Sequence, residues 1–144
     1  EDNFSNNYED GQLQVDELVM EQLEDIHPNT LNEHSTPDGP ASWVLLIPTT
    51  QEIMKLFITG IITEKEIHQL TKPGIVYDCI YLCSAITLPE YRGKGITEAL
   101  VLIGISEIRK THPIKCLFVW PYTAEGKKLA EKISRNTKLS LTVR

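Results

Sequence analysis

Between residues 88 and 97 the chain reads Leu88-Pro89-Glu90-Tyr91-Arg92-Gly93-Lys94-Gly95-Ile96-Thr97, two basic side chains interleaved with two glycines. These residue types at this spacing suit anion binding. Gly93 and Gly95 let the main chain approach an oxyanion with no Cβ in between, and Arg92 and Lys94 add charge-assisted hydrogen bonds. The chemistry works only if the turn opens a helix, whose first N–H groups and dipole then point at the ligand. A diphosphate fits that description. A Walker A loop does not, because no Gly-Lys-Ser or Gly-Lys-Thr follows.

The flanking elements meet this requirement. Residues 77–87 (YDCIYLCSAIT) are rich in β-branched and aromatic types and stop before Pro89, so they predict a strand. From Thr97 to Lys110, Leu100, Val101, Ile103, Gly104 and Ile108 recur at helical spacing. Residues 114–120 (IKCLFVW) predict a second buried strand closed by Pro121, and residues 123–136 a second helix with Leu129, Ala130 and Ile133 inward. Strand, helix, strand, helix is a parallel βαβα unit.

This stretch resembles the acyl-CoA-binding region of the GNAT acetyltransferase superfamily. The family motif is Arg or Gln, two residues, Gly, one residue, Gly or Ala; the chain has Arg92-Gly93-Lys94-Gly95-Ile96-Thr97 after a Pro-Glu-Tyr lead-in. Thr97 departs from the last position. The resemblance spans residues 77 to about 136, and only its first third carries a sharp motif. It implies an α/β fold with a mixed central sheet and flanking helices, whose two parallel strands splay around the CoA-binding loop. It also implies acetyl-CoA or another acyl-CoA as co-substrate, bound by Arg92, Gly93, Lys94, Gly95, Ile96 and Thr97. The acyl carbonyl would be held near Ile86 or Thr87, and Thr123 stands where a polar residue meets the pantetheine or acyl end. The family tyrosine that protonates the departing thiolate falls at Ala130, Ser134-Arg135 replaces the usual Gly-Phe, and one short strand, 139–143, stands where a hairpin is usual.

Amide formation requires removal of a proton from the amine and departure of a thiolate. Tyr122, at the end of the second strand, and Ser84, within the first, are the candidate catalytic residues. Asp78 and Glu125 are weaker ones, and water is an alternative to all four. The expected function is N-acyl transfer to an amine whose identity is open. A catalytically inactive GNAT-like CoA-binding or regulatory module, and an unrelated α/β protein with another phosphorylated ligand, remain alternatives.

Composition bounds the rest. A chain of 144 residues builds one good core. Residues 1–40 contain eleven Asp or Glu and no Lys or Arg, whereas the other 104 residues hold nine acids and all fourteen bases, a net charge of +5 against −6 for the chain. The expected organisation is an acidic arm over residues 1–40, with one amphipathic helix, and a GNAT-like domain over 41–144. The arm is read either as solvated, or as folding over the basic domain or gating the site against anionic ligands. Within it residues 1–11 are expected to fray, 12–26 to form a helix with Val15, Leu18, Val19, Leu23 and Ile26 inward, and 27–40 to be a linker. A strand follows over 42–47, then helices opened by Thr49–Glu52 and Thr63–Glu66 capping boxes and separated by Gly60. Trp43 and Trp120 are expected in the core in preference to a ligand cleft.

No aromatic-interleaved basic patch points to nucleic acid, and no apolar run of about 18 residues points to a membrane. A homodimer is left open. Glu1 follows neither Met nor a leader, which reads as a trimmed or mature fragment. Cys79, Cys83 and Cys116 are expected as buried thiols of a cytoplasmic protein; Cys79 and Cys83 lie about 13 Å apart along one strand and cannot pair. The four histidines lack the spacing of a zinc site, so no metal is expected.

Overall fold

The computed structural model describes residues 16–144. The expectations for residues 1–15, including the frayed start and Val15, lie outside the described residues. Helix α1 (Glu17–Ile26) is capped by Asp16, whose carboxylate accepts the Val19 N–H at 2.9 Å. It buries Leu23 and Ile26, while Leu18, expected inward, is exposed.

The expected linker over 27–40 is instead half of a β-hairpin. Strands β1 (Leu31–Thr36) and β2 (Gly39–Thr49) pair antiparallel, from Leu31↔Leu45 to Thr36↔Gly39. Pro37-Asp38 make the turn, and Gly39 has a φ of 115°, open to glycine but not to most residues. A boundary between residues 40 and 41 therefore falls inside β2. That strand also runs through Pro48, because β1 ends opposite Leu45 and leaves this stretch of β2 with a partner on one side only.

Helix α2 (Gln51–Ile58) is capped by Thr50, one residue later than expected, through a 3.3 Å bond from the Ile53 N–H. Thr49 is buried against the Thr71 hydroxyl at 2.6 Å instead. Helix α3 (Glu64–Leu70) has the expected Thr63–Glu66 capping box. Strand β3 (Cys79–Thr87) leads through a 3-10 turn (Pro89–Tyr91) to α4 (Ile96–Arg109), then β4 (Cys116–Val119), α5 (Ala124–Thr137) and β5 (Ser140–Val143).

The five strands lie in chain order in one mixed sheet. β1, β2 and β3 are antiparallel neighbours, and β3, β4 and β5 are parallel. Strand residues alternate between the two faces. Leu46 meets α4 at Gly104, whereas its neighbour Ile47 pairs with Tyr81, which packs on Phe57 of α2. Thus α4 and α5 cover one face, and α2 and α3 the other.

One cysteine expectation is corrected. Cys79 and Cys116 stand opposite each other in the β3–β4 register and form a disulfide, leaving Cys83 as the free, buried cysteine. Neighbours along one strand were the wrong pair to consider, because parallel pairing aligns residues 37 apart in sequence. No helix of the described residues is long and apolar enough to cross a membrane.

Candidate functional site

The basic glycine turn sits where β3 hands over to α4. Gly93 and Gly95 have φ of 77° and 74°, left-handed values that glycine adopts without strain. Gly95 is the α4 N-cap and supplies no side chain to cap it, so the first N–H groups of α4 receive no capping oxygen from this residue. A Cβ built on either glycine meets no atom within 4 Å, so the space above the turn is open.

That space is an open cleft of about 130 Å³ lined by Gly93 and Gly95 of the turn, Thr97 and Glu98 of α4, and Glu125 and Leu129 of α5. Its charges are mixed. Glu98 is held by Lys132 at 2.9 Å, and Lys94 stands with its Nζ 5.5 Å from the Tyr91 ring centre. The Arg92 Nε–H donates to the Thr87 carbonyl at 3.0 Å, tying the turn to the end of β3. The Thr97 hydroxyl points inward: it bonds the Thr87 hydroxyl, which in turn meets Ser42 at 2.9 Å. With that hydroxyl turned inward, Thr97 offers the cleft its backbone and not its side-chain oxygen. The Thr97 hydroxyl thus pins the first turn of α4 to the end of β3.

A second feature lies beside the turn. β3 pairs with β4 only from Cys79↔Cys116 to Leu82↔Val119, then runs on to Thr87 with no described strand on that side. At the same point Leu46 pairs with Leu82 but Leu45 with Ser84, so Cys83 is an extra residue that bulges β3. A bulge bends its strand and ends regular pairing. Beyond it Ala85 and Thr87 share the α4 face with Val44 and Ser42. Ser84 and Ile86 lie on the opposite face with Leu45 and Trp43, and Ile86 is half exposed.

Under that face lies a buried polar group. Glu64, at the start of α3, accepts a hydrogen bond from the Tyr81 hydroxyl, and both are buried. Burial pushes the Tyr81 phenol well up, with the Glu64 charge adding to it. The Cys83 thiol is also raised by burial and by Glu64, although a hydrogen bond with Ser84 opposes this. Such a thiol stays protonated and is a poor nucleophile.

The other expected residues separate. The Tyr122 hydroxyl is buried, with its ring centre 4.9 Å from that of Trp120. Thr123 caps α5, its hydroxyl accepting the Gly126 N–H at 2.9 Å. Asp78 holds the Gln51 N–H at 2.9 Å and is committed to the start of α2. Glu125 lines the cleft. Ala130 is fully buried, so a hydroxyl at that position would enter the core. Trp43 departs from the core expectation: it is partly exposed and its indole N–H donates to Glu33 at 2.9 Å.

Glu64 is not among the residues the sequence reading singled out. The available signal was spacing: Glu64, Ile67 and His68 share one helical face, and all three are buried. Compared with known proteins, the chain matches no family model, no curated protein and no solved structure.

Proposed function

We propose that the chain binds an acyl-CoA at the Arg92–Thr97 turn and transfers the acyl group to an amine. The observation that supports this best is the pair of left-handed glycines at an N-terminus of α4 left without a side-chain cap, beside a strand whose far half lacks a β4 partner. In this reading the diphosphate lies over Gly93 and Gly95, where backbone N–H groups and the Lys94 and Arg92 side chains offset its charge. The pantetheine arm then runs along the gap beyond Leu82. There it reaches the backbone of Ile86 and Thr87, which holds the acyl carbonyl, with Thr123 at the α5 side. With the Tyr122 hydroxyl buried, proton transfer falls to Ser84 or to water. A cytoplasmic setting belongs to the same proposal, since acyl-CoA is an intracellular co-substrate; the cysteines lend it little support once two of three are joined.

A second reading is CoA binding without transfer, favoured by the burial of Ala130 and of the Tyr122 hydroxyl. A calorimetric titration with CoA, ATP and NAD tests the binding step. CoA is expected to bind, and at about a hundredfold its Kd to add ~2.7 kcal/mol of stability. Lys94→Glu should weaken CoA while leaving the melting temperature of the free protein nearly unchanged. Equal CoA affinity in that variant removes the site. Thiol release in the presence of an amine panel then separates transfer from binding alone.

A further inference from the structure

On the α2 face of the sheet the end of β4 carries a second arrangement, one that the acyl-CoA reading does not use. The Phe57 and Trp120 rings lie edge to face, with centres 5.8 Å apart and planes at 74°. One cation sits against both. The Arg144 guanidinium carbon is 4.4 Å from the Phe57 centre and 4.6 Å from the Trp120 centre. Two aromatic faces turned toward one guanidinium form a cation–π pocket, because each ring presents its negative quadrupole to the charge.

The surroundings extend this chemistry. Tyr122 packs against Trp120 at 4.9 Å, and Tyr81 packs against Phe57 at 5.2 Å. Behind Tyr81 its hydroxyl is bonded to the buried Glu64 carboxylate. Gly60, at a φ of 81°, brings the α2–α3 connection close, so that a Cβ there would lie 3.7 Å from the Arg144 Nη2. The pocket thus has two aromatic walls, a backbone rim and a carboxylate behind one wall.

Its present occupant sits at the sheet edge. Arg144 follows the four-residue edge strand β5, whose residues are exposed or half-buried, and its backbone N–H donates to the Val119 carbonyl at 3.0 Å, continuing the β4–β5 pairing. The geometry points to a guanidinium-binding site formed by Phe57 and Trp120, which Arg144 fills in cis and an external guanidinium group takes when Arg144 leaves. The ligand class is an alkylguanidine or the side chain of an arginine in a peptide. The site stands whether or not the Arg92–Thr97 turn binds a diphosphate.

The test uses fluorescence in a Trp43→Phe background, where Trp120 is the remaining tryptophan. Agmatine and a capped Gly-Arg-Gly peptide are titrated separately, so that a small molecule and a peptide are told apart. With Arg144→Gln added, at least one probe should change Trp120 emission saturably. It should bind about tenfold tighter than in the Arg144 chain, where the resident side chain occupies most of the sites. Adding Phe57→Leu should abolish the response. No saturable response to either probe in the Gln variant, or an unchanged one after Phe57→Leu, overturns the inference. Should Phe57→Leu unfold, NMR of the Arg144 chain decides: its Nε–Hε resonance, displaced by the rings, should move to the random-coil position as the probe that binds the Gln variant is added. A resonance unmoved at concentrations of that probe that saturate the Gln variant also overturns the inference.

Discussion

Gly104 shows how tightly single residues are specified where α4 crosses the sheet. A Cβ there would lie 2.7 Å from Leu46 Cδ1 and 2.8 Å from Asn32 Nδ2. Neither neighbour can yield easily. Leu46 is fully buried, and Asn32 is held by Asn29 through bonds of 2.7 and 3.2 Å. Alanine should gain about 1 kcal/mol of helix propensity but meet overpacking of about 1–3 kcal/mol. We expect Gly104→Ala to lower stability by about 1 kcal/mol, and Gly104→Val by more. In urea the midpoint should fall at constant m-value; an unshifted midpoint would show that the crossing has slack. At the glycine turn the constraint is backbone rather than space. Gly95→Val finds no clash but cannot hold a φ of 74° cheaply. That variant should therefore lose about 1–2 kcal/mol of stability whether or not a ligand binds, which makes Lys94→Glu the cleaner probe of the proposed binding.

Among elements, α1 is packed through Leu23 and Ile26 and has two histidines beside it. The His68 Nε2 meets Gln22 of α1 at 3.0 Å, and His27, just past the end of α1, accepts the Asn29 N–H on its Nδ1 at 2.9 Å. Both histidines are held below the ordinary value of 6.5. For His27 burial acts first, then the His112 charge, against an upward pull from Glu107; for His68 the cause is burial. The unfolded chain therefore binds more protons than the folded one as pH falls through the unfolded value, and stability rises with pH in that window. The stabilisation is complete above about pH 6.5 and is lost progressively below it, toward the depressed folded values. Thermal melts from about pH 7 to pH 5 should fall in Tm. His68→Gln, which keeps a partner for Gln22, should flatten that slope. A slope identical to that of the parent would place the proton uptake elsewhere.

For the whole molecule the decisive feature is that β3 is half central and half edge. Residues Cys79–Leu82 have β2 on one side and β4 on the other, while from Cys83 to Thr87 β2 is the sole strand partner among the described residues. Opening free energy follows the number of packed and bonded neighbours. Amide exchange should therefore be slowest at Ile80–Leu82 and faster in the edge-side amides of Ser84–Thr87. Acyl-CoA should slow that second group selectively, if the pantetheine arm lies in the gap. Exchange slowed equally across the sheet would indicate general stabilisation and no ligand in the gap.

Much of this was determined by sequence alone. The β3–turn–α4–β4–α5 unit was legible because apolar periodicity, Pro89, Pro121 and the glycines mark each boundary, and these are local properties. The Thr63–Glu66 capping box was legible for the same reason. β1 was not, because an edge strand of Asn, Glu, His, Ser and Thr has the composition of a loop. The Pro37-Asp38-Gly39 turn was its one local signal. Only the tertiary structure decided which distant residues meet. Parallel register joined Cys79 to Cys116, packing turned the Thr97 hydroxyl toward Thr87, and α3 brought Glu64 beneath Tyr81. The same step placed Arg144 between Phe57 and Trp120. Each of these pairings depends on register and on the packing of separate elements, and neither is written in the spacing of neighbouring residues.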